Sequence, residues 1–283
     1  TSSHQVEGRN TNNDWWAWEQ AGRVKEPSGQ ACDQYRRFRE DFDLAKQLHH
    51  NAHRFSVEWS RIEPKEGQFD EQALSHYREV VSALRERGLE PVVTLHHYTN
   101  PIWLAKQYGW LNPKVVDYFA RFVRRVVETL GDQVRWWLTI NEPMVYAVMH
   151  YLDGVGPPGS HNVAQMLQVM EHLVRAHVAA YHVIHDVARS HGWPAQVSFA
   201  KHAQPFVPCN PLWIGDRWIA ALTERTYNQR FVDAVMDGWL RVPGKRPIRI
   251  PDANQTLDFI GLNYYGRNFM RLTWGGLRGW WGV

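Results

Sequence analysis

The sequence predicts an α/β fold, a (β/α)8 TIM barrel, on three observations. Apolar strand-like runs alternate with amphipathic helical stretches, the order that builds a parallel sheet from right-handed crossovers. Chemically capable side chains recur at the C-terminal ends of those runs: Arg54 and Glu58, His97, Asn141 and Glu142, Asn263 and Tyr265. A barrel collects polar groups from many strands on one rim, whereas a doubly wound sheet concentrates them at one switch point. No glycine-rich phosphate loop follows a strand-like run, which weakens the nucleotide-binding alternative further.

The elements follow in order. Asp33 to His50 carries Tyr35, Phe38, Phe42, Ala45 and Leu48, an apolar stripe at helical spacing. Ala52 to Trp59 alternates polar and large apolar residues, as a half-buried strand does. Asp70 caps a second helix bearing Leu74, Tyr77, Val81 and Leu84, with Gly88 as its stop. Glu90 to His97 is a second strand that ends in two histidines. Asn112 and Pro113 open a third helix with Val116, Phe119, Val123, Val126 and Leu130, closed by Gly131.

Trp136 to Ile140 is a short apolar strand ended by Asn141, Glu142 and Pro143. Proline has no N–H and pushes its predecessor out of the helical region, so it marks a stop. A carboxyl group at that tip, above apolar residues, is either a solvated strand-end group or one that desolvation disposes to hold a proton and donate it. Beyond the loop Gly154 to Gly159, Val163 to Ser190 reads as a long helix and Gln196 to Lys201 as a strand. Asp216 to Gly238 is mostly helical, and Asp258 to Tyr265 is a last strand tipped with polar and aromatic residues.

Composition bounds the function. The 283 residues are 44% hydrophobic and 22% charged, ample material for the core of a single barrel domain. A net charge of +3 with scattered basic residues gives no support for a nucleic-acid partner. No run reaches the length of a membrane span, and no charged leader precedes an apolar core. Cys32 and Cys209 are too few and too far apart for a disulfide framework or a zinc site, so a cytoplasmic setting is expected. The histidines lack clustered ligand spacing, and neither metal nor cofactor is expected. Fifteen tryptophans supply flat apolar faces of the kind that stack on sugar rings.

Taken in order, these motifs resemble glycoside hydrolase family 1, the β-glucosidase and β-galactosidase family. Thr1-Ser2-Ser3-His4-Gln5-Val6-Glu7-Gly8 is similar to the family's first-strand motif, which implies that Gln5 binds sugar in the −1 subsite. Cys32-Asp33-Gln34-Tyr35 and the stretch Arg54 to Ile62 are similar to the next two motifs, and the second implies that Arg54 sits beside the nucleophile. Thr94-Leu95-His96-His97-Tyr98 resembles the strand whose histidine holds glycone hydroxyls, which implies that role for His97. Asn141-Glu142-Pro143 resembles the acid/base motif, with Glu142 as proton donor and Asn141 on the sugar 2-hydroxyl. Asn263-Tyr264-Tyr265 resembles the strand-six motif, in which Tyr265 orients the nucleophile with Asn263 beside it. An Asn-Glu-Pro alone is weak; the ordered set is specific. The resemblance implies a retaining β-glycosidase acting on terminal β-D-glucosyl or related residues of β-glucosides or oligosaccharides, without cofactor. Such hydrolysis needs a neutral acid and an ionised carboxylate roughly 5 Å apart on opposite faces of the sugar.

The family's nucleophile lies in a Glu-Asn-Gly motif on strand seven. That motif does not occur here, and no Asp or Glu follows Asp258. The expectation is therefore one barrel domain over residues 1–283, with strands one to six present and seven and eight missing, truncated at the C-terminus and, lacking an initial Met, at the N-terminus. Such a sheet leaves two edges open. Three readings follow: a fragment of a longer enzyme, a sugar-binding relative that closes its open side as a homo-oligomer without ordinary turnover, or a chain in which Glu58 replaces the nucleophile.

Overall fold

Five strands form one parallel sheet, and their order across it is their order along the chain. In the computed structural model, which describes residues 2–242 and 245–273, they are β1 (Ala52–Ser56), β2 (Glu90–His96), β3 (Trp136–Asn141), β4 (Gln196–Ala203) and β8 (Gly261–Tyr264). The short strands β5 (Phe206–Pro208) and β9 (Asn268–Met270) pair with each other, as do β6 (Trp239–Leu240) and β7 (Ile248–Arg249). Every pairing in the main sheet is parallel. A doubly wound sheet reverses its strand order at the switch point. This one does not reverse, so the sheet is an incomplete (β/α)8 barrel.

Local chemistry explains the crossovers. The Asp70 carboxylate accepts from the N–H groups of Gln72 and Ala73, which starts the helix Glu71–Glu86. That helix buries Leu74, Tyr77, Val81 and Leu84. The helix Val115–Leu130 buries Phe119, Phe122, Val123 and Val126, and Trp59 stacks on Phe122 at 5.0 Å between ring centres. Asn162 caps the 29-residue helix Val163–His191, and Gly192 ends it at φ 72°, a conformation that glycine reaches without steric cost.

Three elements differ from expectation. Pro143 stops the strand but also begins a helix, Pro143–Tyr151, at the first position, where a missing N–H costs nothing. Residues 214–237 form two helices, Ile214–Thr223 and Arg230–Asp237, joined by a π-helical turn. The N-terminal motif is a helical turn, Ser3–Val6, instead of the tip of strand one. Ser2 and Gln5 cap that turn reciprocally, and the Ser3 N–H donates to Ser56 Oγ at 2.7 Å, so its donors are satisfied without a strand partner. The sheet therefore comprises the expected strands two to six. At its β8 end, Ile260, Leu262, Tyr264 and Phe269 are exposed.

Burial of ionisable groups fixes the pH range of the fold. Burial pushes His96 down to about 3, and His150 and His177 down to about 4. Depressed folded-state values mean that these groups contribute stability above their ordinary 6.5 and lose it as pH falls toward 4. Burial pushes Glu7 and Asp14 up to about 7, so their contribution is full below about pH 4 and is lost as pH rises through 7. Burial also pushes His53 and His76 down to about 4, so these five histidines outweigh the two carboxyls on the acid side. Thermal melting is expected to give a lower midpoint at about pH 5 than at about pH 7.

Candidate active site

Glu142 ends β3 in the left-handed region, at φ 47° and ψ 61°. A non-glycine residue there costs about 1–3 kcal/mol and persists only when its surroundings hold it. Its N–H donates to the Ala200 carbonyl on β4 at 2.7 Å, and its carbonyl accepts from Tyr146 N–H in the following helix at 3.0 Å. Both carboxylate oxygens have partners as well. Asn263 Nδ2 on β8 donates to Oε1 at 2.7 Å, and the Tyr98 hydroxyl, just beyond β2, donates to Oε2. The Tyr265 hydroxyl also bonds Glu142.

Arg54 on β1 joins four strands. Its Nε donates to Thr94 Oγ1 on β2 at 3.1 Å, and its two terminal nitrogens donate to Asn263 Oδ1 at 3.2 Å and to Asn141 Oδ1. All three acceptors are neutral. Burial lowers the Arg54 pKa, opposed by the negative charge of Glu142. Asn141 Oδ1 also accepts from Asn263 Nδ2 at 3.2 Å, so the two amides, the guanidinium and the carboxylate form one network.

His97 is the rim group without a protein hydrogen bond among the described residues, and its Nδ1 is buried and unpartnered. Burial, aided by the Arg54 charge, holds its pKa well below the usual histidine range, so the ring is neutral and can donate from one nitrogen and accept at the other. His97, Tyr98 and Gln5 line one cavity of about 460 Å³ with Trp15, Met149 and His150. That volume is in the range of small-molecule sites. Gln5 borders the cavity from the helical turn rather than from a strand tip, with its amide oxygen accepting from Ser2 N–H at 3.3 Å. Tyr265 is 75% exposed and stacks on His202 at 5.4 Å.

The structure thus brings Arg54, Asn141, Glu142, Asn263 and Tyr265 together, with Gln5 and His97 on the neighbouring cavity. Sequence reasoning missed Tyr98 and Thr94, although both lie in the motif that yielded His97. It also missed His202, whose Nδ1 lies 2.8 Å from the Tyr227 hydroxyl. The polar end of β4 runs to Ala203, past the expected Lys201, and that was its one signal.

Glu58 does not join the rim. It is fully buried, and its oxygens accept from Ser3 Oγ at 2.7 Å, Ser60 Oγ at 2.7 Å and Thr99 Oγ1 at 2.9 and 3.1 Å. A carboxylate so committed ties the N-terminal turn to the sheet, and the reading of Glu58 as a substitute nucleophile fails. Among the described residues, no group of three or more His, Cys, Asp or Glu side chains could hold a metal ion.

The fold has close counterparts. A β-glycosidase from Pyrococcus horikoshii superposes with a TM-score of 0.89 at 38% identity, over 97% of this chain and 62% of that one. A β-glucosidase from Thermotoga maritima in complex with deoxynojirimycin gives 0.88 at 28% identity, over 94% of this chain and 64% of that one. By sequence, β-glucosidase A of Thermotoga maritima is 28% identical over 252 residues, 85% of this chain and 56% of its own length. β-Glucosidase 6 of rice is 30% identical over 276 residues and half covered, at 50%. The chain thus spans a little over half the length of the first of these curated relatives. The family model for glycosyl hydrolase family 1 matches residues 1–274, and the chain belongs to that family.

Proposed function

We propose that the protein is a retaining β-glycosidase that removes terminal β-D-glucosyl or related residues from β-glucosides or oligosaccharides, with Glu142 as general acid and base. The observation that carries this reading is the seating of Glu142. Its strained turn is pinned by β4, its two oxygens are held by Tyr98 and Asn263, and a cavity with a neutral, unpartnered His97 adjoins it. Glu142 protonates the glycosidic oxygen as the bond to the sugar breaks, then takes a proton from the water that releases the glycosyl–enzyme intermediate. Asn141 bonds the 2-hydroxyl, and Gln5 and His97 bond the other glycone hydroxyls. Arg54, Tyr265 and Asn263 support a nucleophilic carboxylate supplied by residues outside this sequence. The β-glucosidase names of the relatives support the substrate class. A cytoplasmic setting belongs to the same reading, since Cys32 and Cys209 are both free. No helix among the described residues is long and apolar enough to cross a membrane.

A second reading rests on the open sheet edge. Exposed Ile260, Leu262 and Tyr264 favour a sugar-binding barrel that closes by self-association, as a homo-oligomer without turnover. Turnover of a chromogenic β-glucoside separates the two. Activity in a form extended through strands seven and eight, with this polypeptide inert alone, supports the glycosidase. An inert extended form that still binds sugar supports the second reading.

A further inference from the structure

His97 and Tyr98 are presented to the site by the segment that leaves β2, and Tyr98 stands at φ 75°. A non-glycine residue in that region must be held by its surroundings. The holding group lies two residues on. Asn100 is 2% exposed, and all its polar groups are engaged. Its N–H donates to Asp14 Oδ1 at 2.9 Å, and its Nδ2 donates to Asp14 Oδ2 at 2.7 Å and to the Tyr146 hydroxyl at 2.9 Å. Its Oδ1 accepts from Trp110 Nε1 at 2.9 Å and lies 3.1 Å from His96 Nε2. In return, the Asp14 N–H donates to the Asn100 carbonyl at 3.0 Å.

Three hydrogen bonds therefore lock Asp14 and Asn100 face to face. Asp14 begins the helix Asp14–Gln20, whereas Tyr146 belongs to the helix Pro143–Tyr151, and its own N–H donates to the Glu142 carbonyl. One buried junction thus ties the N-terminal helix to the segment carrying His97 and Tyr98 and to the turn carrying Glu142. No cation forms an ion pair with Asp14 among the described residues, and its hydrogen bonds go to Asn100 and the Trp15 backbone. A buried carboxyl without a cation is an expensive way to hold a loop, unless its geometry is what matters.

We propose that Asp14 and Asn100 form a positioning clamp that sets the Tyr98 hydroxyl against the Glu142 carboxylate and fixes the His97 ring in the adjoining cavity. The clamp acts through these residues and touches no sugar itself. Its effect on ligand binding rests on the glycosidase reading, whereas its effect on the segment does not.

The test compares Asp14→Asn with the exchange of both side chains, Asp14→Asn with Asn100→Asp. The single change turns an acceptor into a donor facing the Asn100 amide, at constant size. The double change lets the new amide donate to the new carboxylate, which still accepts from Trp110, while the bond to Tyr146 reverses so that the tyrosine hydroxyl donates. In Asp14→Asn, amide hydrogen exchange across residues 97–100 is expected to speed at least about tenfold while β2 and β3 keep their protection, because the opening is local. Deoxynojirimycin, titrated by calorimetry, is expected to bind correspondingly more weakly. The double variant is expected to restore both. Unchanged exchange in the single variant, or no restoration in the double, overturns the clamp. If wild type does not bind deoxynojirimycin, the sugar-site reading fails and hydrogen exchange alone decides. If Asp14→Asn does not fold, a folded double variant with wild-type exchange supports the clamp, and an unfolded one overturns it.

Discussion

In a form extended through barrel strands seven and eight, Glu142→Gln is expected to lower kcat/KM for an alkyl β-glucoside by about 10²- to 10⁴-fold, the usual contribution of a positioned general acid or base. Glutamine matches the size of glutamate and can still accept from Asn263 or from Tyr98, so the strained turn and the network survive. What it lacks is a proton to give and a charge to take one back. An alkoxide is a poor leaving group and cannot depart without that proton. A nitrophenolate can, so first-step rates on a nitrophenyl β-glucoside are expected to fall much less. The contrast between the two substrates identifies the role, and equal activity of wild type and variant on the alkyl glucoside removes Glu142 from it.

Arg54→Met is expected to cost about 10²-fold in the same extended form, the size of effect that follows when reacting groups shift by an ångström. Methionine occupies much of the buried stem but offers no donors. Asn141 Oδ1, Asn263 Oδ1 and Thr94 Oγ1 then lose the fork that joins their strands. Asn263 is the consequential loss, because its Nδ2 holds Glu142 Oε1. Arg54→Lys keeps the charge but has no planar fork to span three acceptors, so it is expected to restore little. Recovery of full kcat/KM with lysine is the result that shows charge alone to be sufficient.

Much of this was legible in the chain because its signals are periodic. The stripes of Glu71–Glu86 and Val115–Leu130 repeat at helical spacing, and Asp70 caps the first where its backbone donors need it, whereas the second begins at Val115, past the expected Asn112, without a side-chain cap. The rim residues other than Gln5 were legible because each lies within or just beyond a strand, and parallel strands align their ends. What escaped has no period. The helix Pro143–Tyr151 is buried on nearly every side and shows no stripe, and its first residue serves equally well as a stop and as a start. Gln5 falls in a four-residue turn whose conformation depends on local capping. Tyr98 owes its importance to a left-handed backbone and to a partner 44 positions away, and Asp14 to one 86 positions away. Neither contact leaves a local mark in the sequence.

The central claim is that one rim, carried by β1, β2, β3 and β8, is a pyranose site organised about Glu142. The most direct measurement is a crystal structure of this chain soaked with deoxynojirimycin. The account expects the ring beside Glu142, within hydrogen-bond reach of Asn141 and His97. A ring bound elsewhere, with the Glu142 carboxylate turned away from it, contradicts the account.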